Sequence, residues 1–374
     1  MDILQNIKSM SLNQFLSLQV FEGVYVLALA FLPFLLAFRV VAYIILSGIA
    51  LTTIVIGYKL LTMRLVNPKG KVVLITGCDS GFGNACARRL NAAGYTVVAG
   101  CLDDMSEGAQ SLKEMANGHM IVLKLDITDA ESVENCATKL KAVCDGRGLW
   151  CLLNNAGVCS FGDFELSSLN MYRHVMEVNV FGTLSITKAC LPLLRAGKGR
   201  VVNLTGSTGL LSPPGHSPFS MSQFCLEAFN DSLRVEMAPF NVSVIAVRPG
   251  NFFGATAMLN RAGLERLQNS FEDMKSGSQA DVISDYGEDF LDKQYSQFSE
   301  LSKSTAGSLA KVIDAIGDAV GNSKPSSQYL VDGGNQLIDI GNILVRCRPF
   351  LPTSLHDCLV SRLYRNKTSL NGRP

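Results

Sequence analysis

Charged residues are scarce in this chain, and neither sign prevails. Asp, Glu, Lys and Arg make up 17% of 374 residues and sum to +1. No basic cluster interleaved with aromatics occurs, so the charge pattern gives no footing for nucleic-acid binding. There is one Trp, and the four His (119, 174, 216 and 356) stand apart in sequence. The eleven Cys include no Cys-x-x-Cys and no Cys/His pair at metal-ligand spacing. That argues against a zinc site and against a disulfide framework, and fits reduced, mostly buried thiols. Internal repeats and low-complexity runs are absent.

Apolar residues are plentiful, at 48%, and mean hydropathy is +0.23. The excess lies near the N-terminus. Gly23–Phe38 and Val40–Tyr58 carry no charge, and only Arg39 separates them. A helix crossing a bilayer core needs about 20 apolar residues. Val40–Tyr58 is the better span. Gly23–Phe38 is short and holds Pro33, so it reads as a second span in a tight hairpin or as an interfacial segment. The region is too long for a cleaved signal peptide. Lys59, Arg64, Lys69 and Lys71 follow the span, against Lys8 before it. The positive-inside rule then turns the main domain to the cytoplasm. The expected organisation is a polar segment (1–14), a membrane anchor of one or two spans (15–60), a linker around Asn67-Pro68-Lys69-Gly70 (61–70), a main domain (71–335), and an apolar segment with a basic tail (336–374).

From Lys71 onward short apolar runs alternate with amphipathic stretches. Strands are predicted at 71–76, 95–101, 120–126, 149–154, 199–205, 241–247 and 328–331. Helices are predicted from the glycine turn to about Gly94, then at 108–117, 129–145, 168–194, 217–238 and 306–320. Continuous apolar strands joined by helices mean a parallel sheet with right-handed crossovers, a Rossmann-type doubly wound α/β fold. Residues 254–305 are polar and helical in pattern, with a charged middle. Residues 336–361 read as a lipid-facing or substrate-covering tail, or as a C-terminal helix.

The first strand runs into Thr76-Gly77-Cys78-Asp79-Ser80-Gly81-Phe82-Gly83, which opens a helix. Gly77 permits the sharp turn, Gly81 lets backbone approach a pyrophosphate, and Gly83 allows close helix–strand packing. A glycine triplet alone is a weak signal; between a strand and a helix it predicts dinucleotide binding. Asp126 ends the third strand, followed by Ile127. It can accept from an adenine amino group or share a helix cap with Thr128. Asn154-Asn155-Ala156-Gly157 ends the fourth strand, and its small residues let a cofactor ribose lie against backbone.

These motifs resemble those of the short-chain dehydrogenases/reductases over about residues 70–335. The branch resembled holds D-3-hydroxybutyrate dehydrogenase, the retinol dehydrogenases and 17β-hydroxysteroid dehydrogenase type 2. Ile75 to Gly83, Ala99 to Leu102, Gly146 to Trp150 and Pro249 to Phe252 carry the likeness. The resemblance implies that Asn179 anchors a water in a proton relay. It implies that Ser207 holds the substrate oxygen and that Pro249 and Gly250 lie beside the nicotinamide. Cofactor contacts fall to Thr76, Gly77, Asp79, Ser80, Gly81, Phe82, Gly83, Asp126, Ile127, Asn155, Ala156, Gly157, Gln223, Pro249 and Gly250. No Arg or Lys occurs in Gly77–Gly83 or Gly100–Met105 to meet a 2′-phosphate, so NAD(H) is expected rather than NADP.

One motif departs. Where the family has Tyr-x-x-x-Lys, this chain has Phe219 and Gln223, aligned without a gap, and no Tyr lies between Tyr172 and Tyr286. The Tyr moves a proton at the substrate oxygen and the Lys lowers its pKa. Phe219 has no ionisable proton, and Gln223 has no charge. His216, Ser207, Ser220 and Ser222 are the nearby groups able to substitute. Two readings follow, beside a weaker third, a structural membrane protein that binds no nucleotide, against which the intact glycine turn argues. One is a membrane-bound oxidoreductase of a lipophilic alcohol or ketone (steroid, retinoid or hydroxy-acid-like), with impaired or re-routed proton transfer. The other is a pseudoenzyme that binds cofactor or lipid as a regulator or scaffold. The family resemblance also implies a homodimer or tetramer, and the anchor an endoplasmic-reticulum membrane, with a mitochondrial membrane as the alternative.

Overall fold

The computed structural model describes residues 12–62, 64–115, 118–335 and 339–365. The chain forms two compact units, 1–64 and 65–374. Among the described residues the first contains one helix, α1 (Leu12–Thr62). Its apolar stretch, Val20–Tyr58, is 39 residues long with a mean hydropathy of 2.4, long and apolar enough to cross a membrane. At 1.5 Å per residue it extends about 58 Å. The two segments expected on either side of Arg39 are therefore a single helix and not a hairpin. Pro33 lies inside it. A hairpin needs turn residues, and Phe38-Arg39-Val40 supplies none.

The second unit is built on seven parallel strands: β1 (Val72–Thr76), β2 (Thr96–Cys101), β3 (Met120–Lys124), β4 (Cys151–Asn154), β5 (Arg200–Leu204), β6 (Ser243–Pro249) and β7 (Gln328–Val331). Their order is β3-β2-β1-β4-β5-β6-β7. Six lie within the predicted strand positions; β6 was predicted at 241–247 and runs two residues further, to Pro249. Alternate residues of β1 enter opposite layers: Val73 and Ile75 join one core, Val72 and Leu74 the other. Burial on both faces explains the unbroken apolar run.

Helices α2 (Gly81–Ala92) and α11 (Ala310–Gly321) cover the first face, burying Leu90 and Ile316. Helices α4 (Ala130–Cys144) and α6 (Thr183–Gly197) cover the second, burying Leu140, Ile186 and Leu194. The remaining helix on the β2–β3 side is α3 (Glu107–Glu114). The strand order reverses between β1 and β4, which opens a crevice at the carboxyl ends of the strands.

The predicted helix 168–194 is three pieces: α5 (Leu169–Met176), a π-helical turn (Glu177–Gly182) and α6. It runs past Pro192 to Gly197. The wide turn buries Asn179 at 2% exposure, which a uniform α-helical reading does not anticipate. Helix α7 (Ser217–Met237) follows β5.

The polar stretch after β6 folds as α8 (Arg261–Gly277), α9 (Ala280–Tyr286) and α10 (Phe290–Lys303). These amphipathic helices bury Leu267, Phe271, Met274 and Phe298 against Phe161. Each such side chain contributes about 1.5–3 kcal/mol. The last segment is two short helices, α12 (Ile340–Cys347) and α13 (Thr353–Arg365). Leu344, Val345 and Val360 pack on Leu211, so this segment closes against the loop after β5. The polar start (1–11) and the basic tail beyond 365 lie outside the described residues.

Candidate active site

A cavity of about 550 Å³ opens at the crevice between β1 and β4. One end is the glycine turn. Gly77 has φ +70, and a Cβ there would lie 2.8 Å from Ala156 Cα. A Cβ on Gly83 would lie 2.2 Å from Gly77 O and 2.5 Å from Asn155 Nδ2. Neither position has room for a side chain. Helix α2 starts here with no acidic residue in its first turn, and Ser80 makes no side-chain cap bond. The free N–H groups and the positive end of the helix dipole suit a phosphate. The turn therefore fits a dinucleotide.

Of the predicted cofactor residues, all line the cavity except Thr76, Gly83, Asp126 and Ile127. Thr76 acts as a strap: its Oγ1 accepts from Asn155 N and Ala156 N, both at 3.0 Å. Asn155 returns the tie, with Nδ2 donating to Thr76 O (2.7 Å) and Gly77 O (2.9 Å). Together they lock the turn after β1 to the turn after β4. Asp126 Oδ1 accepts from Thr128 N (2.9 Å) and Thr128 Oγ1 (2.7 Å), a local turn. The cap of α4 is Asp129 instead, accepting from Glu131 N and Ser132 N. Ile127 is buried against Gly182. Asp79 faces the cavity while its carboxylate accepts from Leu102 N (3.0 Å) and Asp103 N (2.9 Å), which fixes the loop after β2.

Asn179, Ser207, Phe219 and Gln223 line the other end. Ser207 begins a 3₁₀ turn directly after β5. Asn179 Oδ1 accepts from Val158 N (2.8 Å), and its Nδ2 donates to Val158 O (2.8 Å) and Ser222 Oγ (2.9 Å). It pins the loop after β4 to α7. Ser222 Oγ donates to Phe219 O at 2.7 Å and accepts from Gln223 Nε2 at 3.2 Å. Phe219 is 5% exposed and meets Phe253 edge-on, ring centroids 6.0 Å apart.

The far wall is apolar. Phe252, Phe253, Met258 and Leu259 line it, as the sequence suggested. The sequence reading missed Cys159, Phe161 and the α8 residues Arg266, Leu267 and Ser270. No local pattern marks them, because the α8–α10 packing brings them in. Burial pushes the Cys159 thiol up to about 12, so it stays protonated.

His216 does not line the large cavity. It lines a smaller one of about 50 Å³, which also has Ser207 in its wall. His216 is 4% exposed, and its Nδ1 lies 3.0 Å from Pro214 O. Burial pulls its imidazole down to about 4, so it is neutral at neutral pH.

A buried polar bridge also went unseen in the sequence. Glu227 accepts from Arg248 Nε (2.8 Å), Arg248 Nη2 (2.5 Å) and Thr205 Oγ1 (2.7 Å). It ties the residues next to Ser207 and Pro249.

The sheet order, the glycine turn at the switch point and the cavity beyond it define a Rossmann-type protein of the NAD(P)-binding class. The family model for short chain dehydrogenases matches residues 71–266, and the chain belongs to that family. It is similar to a mitochondrial D-beta-hydroxybutyrate dehydrogenase of Bos taurus: 39% identical, covering 71% of this chain and 78% of that one. Retinol dehydrogenase 7 of Mus musculus is 35% identical over 69% of this chain and 79% of its own. Among solved structures, a short-chain dehydrogenase from Streptomyces avermitilis superimposes with a TM-score of 0.56 at 26% identity, covering 80% of this chain and 98% of the other.

The expected endoplasmic-reticulum location with a cytoplasm-facing domain is overturned by this likeness, since the Bos taurus relative is a mitochondrial protein by name. The physical reason is simple. Basic residues after an apolar helix report its orientation, not which membrane holds it.

Proposed function

We propose that the chain is a membrane-anchored oxidoreductase that uses NAD(H) on a lipophilic alcohol or ketone, with slowed or re-routed proton transfer. One observation carries this reading: a single cavity runs from the glycine turn to Ser207 and ends in an apolar wall. A bound nicotinamide would give or take a hydride at the substrate carbon. The residues then have distinct tasks. The turn and helix α2 hold the pyrophosphate. Ser207 holds the substrate oxygen. Asn179 sets the loop after β4, and Pro249 and Gly250 border the ring. Asp79 favours NAD(H), because its carboxylate repels a 2′-phosphate. The 39-residue apolar helix supports anchoring in a membrane. Exposed Phe181 and Met221, on the π-helical turn and α7, support pairing of two copies.

The test is incubation of detergent-solubilised protein with NADH and a panel of steroid, retinoid and hydroxy-acid-derived ketones. Turnover abolished by Ser207→Ala supports the reading.

A second reading, a pseudoenzyme that binds cofactor or lipid, draws on Phe219 and Gln223. Neither brings an ionisable proton to the cavity. NADH binding without turnover of any substrate would favour it.

A further inference from the structure

The small cavity beside Ser207 sets a few polar side chains in a mostly apolar wall that includes Leu211, Phe253 and Leu301. Thr208, His216, Asp339 and Tyr364 share its wall with Ser207. Thr208 is 8% exposed, and its Oγ1 has no hydrogen-bond partner. A buried hydroxyl left so is ordinarily satisfied by water. About 50 Å³ accommodates at least one. The carbonyl of Pro214 only accepts, so the His216 proton sits on Nδ1 and leaves Nε2 as an acceptor. Asp339 is occupied, with Oδ2 taking Gly333 N (2.9 Å) and Oδ1 taking Asn342 N (3.1 Å). Tyr364 comes from α13, its ring 6.3 Å from that of His216, and it reaches partway to solvent. Burial and Asp339 push its phenol up to about 12, so it is protonated at neutral pH.

We propose that this cavity carries a water-linked relay from Ser207 to Tyr364, which supplies in carbonyl reduction the proton that Phe219 has no group to give. The inference rests on the oxidoreductase reading above. A bound reduced nicotinamide would supply the hydride to the carbonyl carbon, and the carbonyl π pair would move to oxygen. That oxygen takes the Ser207 Oγ proton. Ser207 takes one from the cavity water, the water takes one from Tyr364, and Tyr364 takes one from solvent. The sum is ketone plus hydride plus one solvent proton, giving the alcohol. Tyr364 thus acts through water and Ser207 and is a positioning and relay residue. Every link begins protonated, which suits reduction.

The experiment is ketone reduction by the full chain in H₂O and D₂O, with NADH affinity measured separately by fluorescence titration. Tyr364→Phe is expected to lower kcat about 100-fold. It should shrink the solvent isotope effect and leave NADH affinity within about twofold. In the F219Y/Q223K background, where a phenol is restored at the oxygen, the loss from Tyr364→Phe should shrink at least tenfold. A cofactor-bound crystal structure should show water within hydrogen-bond reach of both Ser207 Oγ and Tyr364 Oη. Equal losses in the two backgrounds, a parallel loss of NADH affinity, or a dry cavity would overturn the relay. An active wild type insensitive to Tyr364→Phe overturns the relay alone. An inactive wild type beside an active F219Y/Q223K overturns the oxidoreductase reading and the relay together.

Discussion

Glu227 and Arg248 form a bidentate ion pair, at 2.8 and 2.5 Å, with both side chains at or below 10% exposure. The pair adjoins two residues of the cavity wall, Thr205 and Pro249. Thr205 donates to Glu227 on one side, and Pro249, which follows Arg248 at the end of β6, lines the cavity on the other. Breaking a buried pair leaves an uncompensated charge, at about 3–5 kcal/mol. Arg248→Met should therefore lower thermal stability sharply. Glu227→Leu combined with Arg248→Met should recover much of the loss, because no charge is then left buried. Thermal unfolding of the two variants checks this.

Gly83→Ala is expected to abolish NADH binding, since its Cβ would lie 2.2 Å from Gly77 O. The turn has to open to admit it, and the phosphate site opens too. Gly317→Ala on α11 is the control: nothing lies within 4 Å of its Cβ, so affinity should not change. Fluorescence titration with NADH separates the two.

Asp79→Asn removes a charge from the cavity wall while keeping one carboxamide oxygen for the loop after β2. Relative affinity for NADPH over NADH should rise about tenfold. That corresponds to about 1.4 kcal/mol of lost repulsion. Competitive titration of the two cofactors measures it.

His216 makes stability depend on pH in a definite direction. Its folded pKa is about 4, below the unfolded value of 6.5. Between these values the unfolded chain binds more protons, so stability rises with pH across that window. The contribution is complete above about 6.5, is lost as pH falls toward 4, and is worth about 3 kcal/mol in full. Melting temperature of wild type minus His216→Phe should therefore fall on acidification from pH 7 to 5. A difference independent of pH would contradict the buried neutral imidazole.

Much of the sheet was legible because its central strands are buried on both faces and so read as unbroken apolar runs, whereas the edge strands β3 and β7 are only partly buried. Val72–Thr76 and Cys151–Asn154 show this plainly. The glycine turn was legible for a different reason: backbone geometry there tolerates no side chain. What stayed hidden depends on distant partners. Thr76 looked like a cofactor contact and proved a strap to Asn155, 79 residues away. Asp126 is a local case: of the two roles the sequence left open, its oxygen takes the partner Thr128, two residues on, while Asp129 caps the helix. Cys159 and Arg266 meet only because α8 folds back over the loop after β4, and Tyr364 reaches the wall near Ser207 from the last helix. Whether the N-terminal region made one span or two stayed open in the sequence because Pro33 and Arg39 resemble punctuation; one continuous helix passes through both.

Under the proposed function, the chain reduces a ketone despite Phe219 and Gln223. The most direct test is steady-state NADH oxidation by wild type, Ser207→Ala and Phe219→Tyr/Gln223→Lys on one ketone panel. Wild type is expected to turn over slowly, Ser207→Ala to lose that turnover, and the double variant to gain about 10²–10⁴-fold. A silent wild type beside an active Phe219→Tyr/Gln223→Lys would contradict the proposed function.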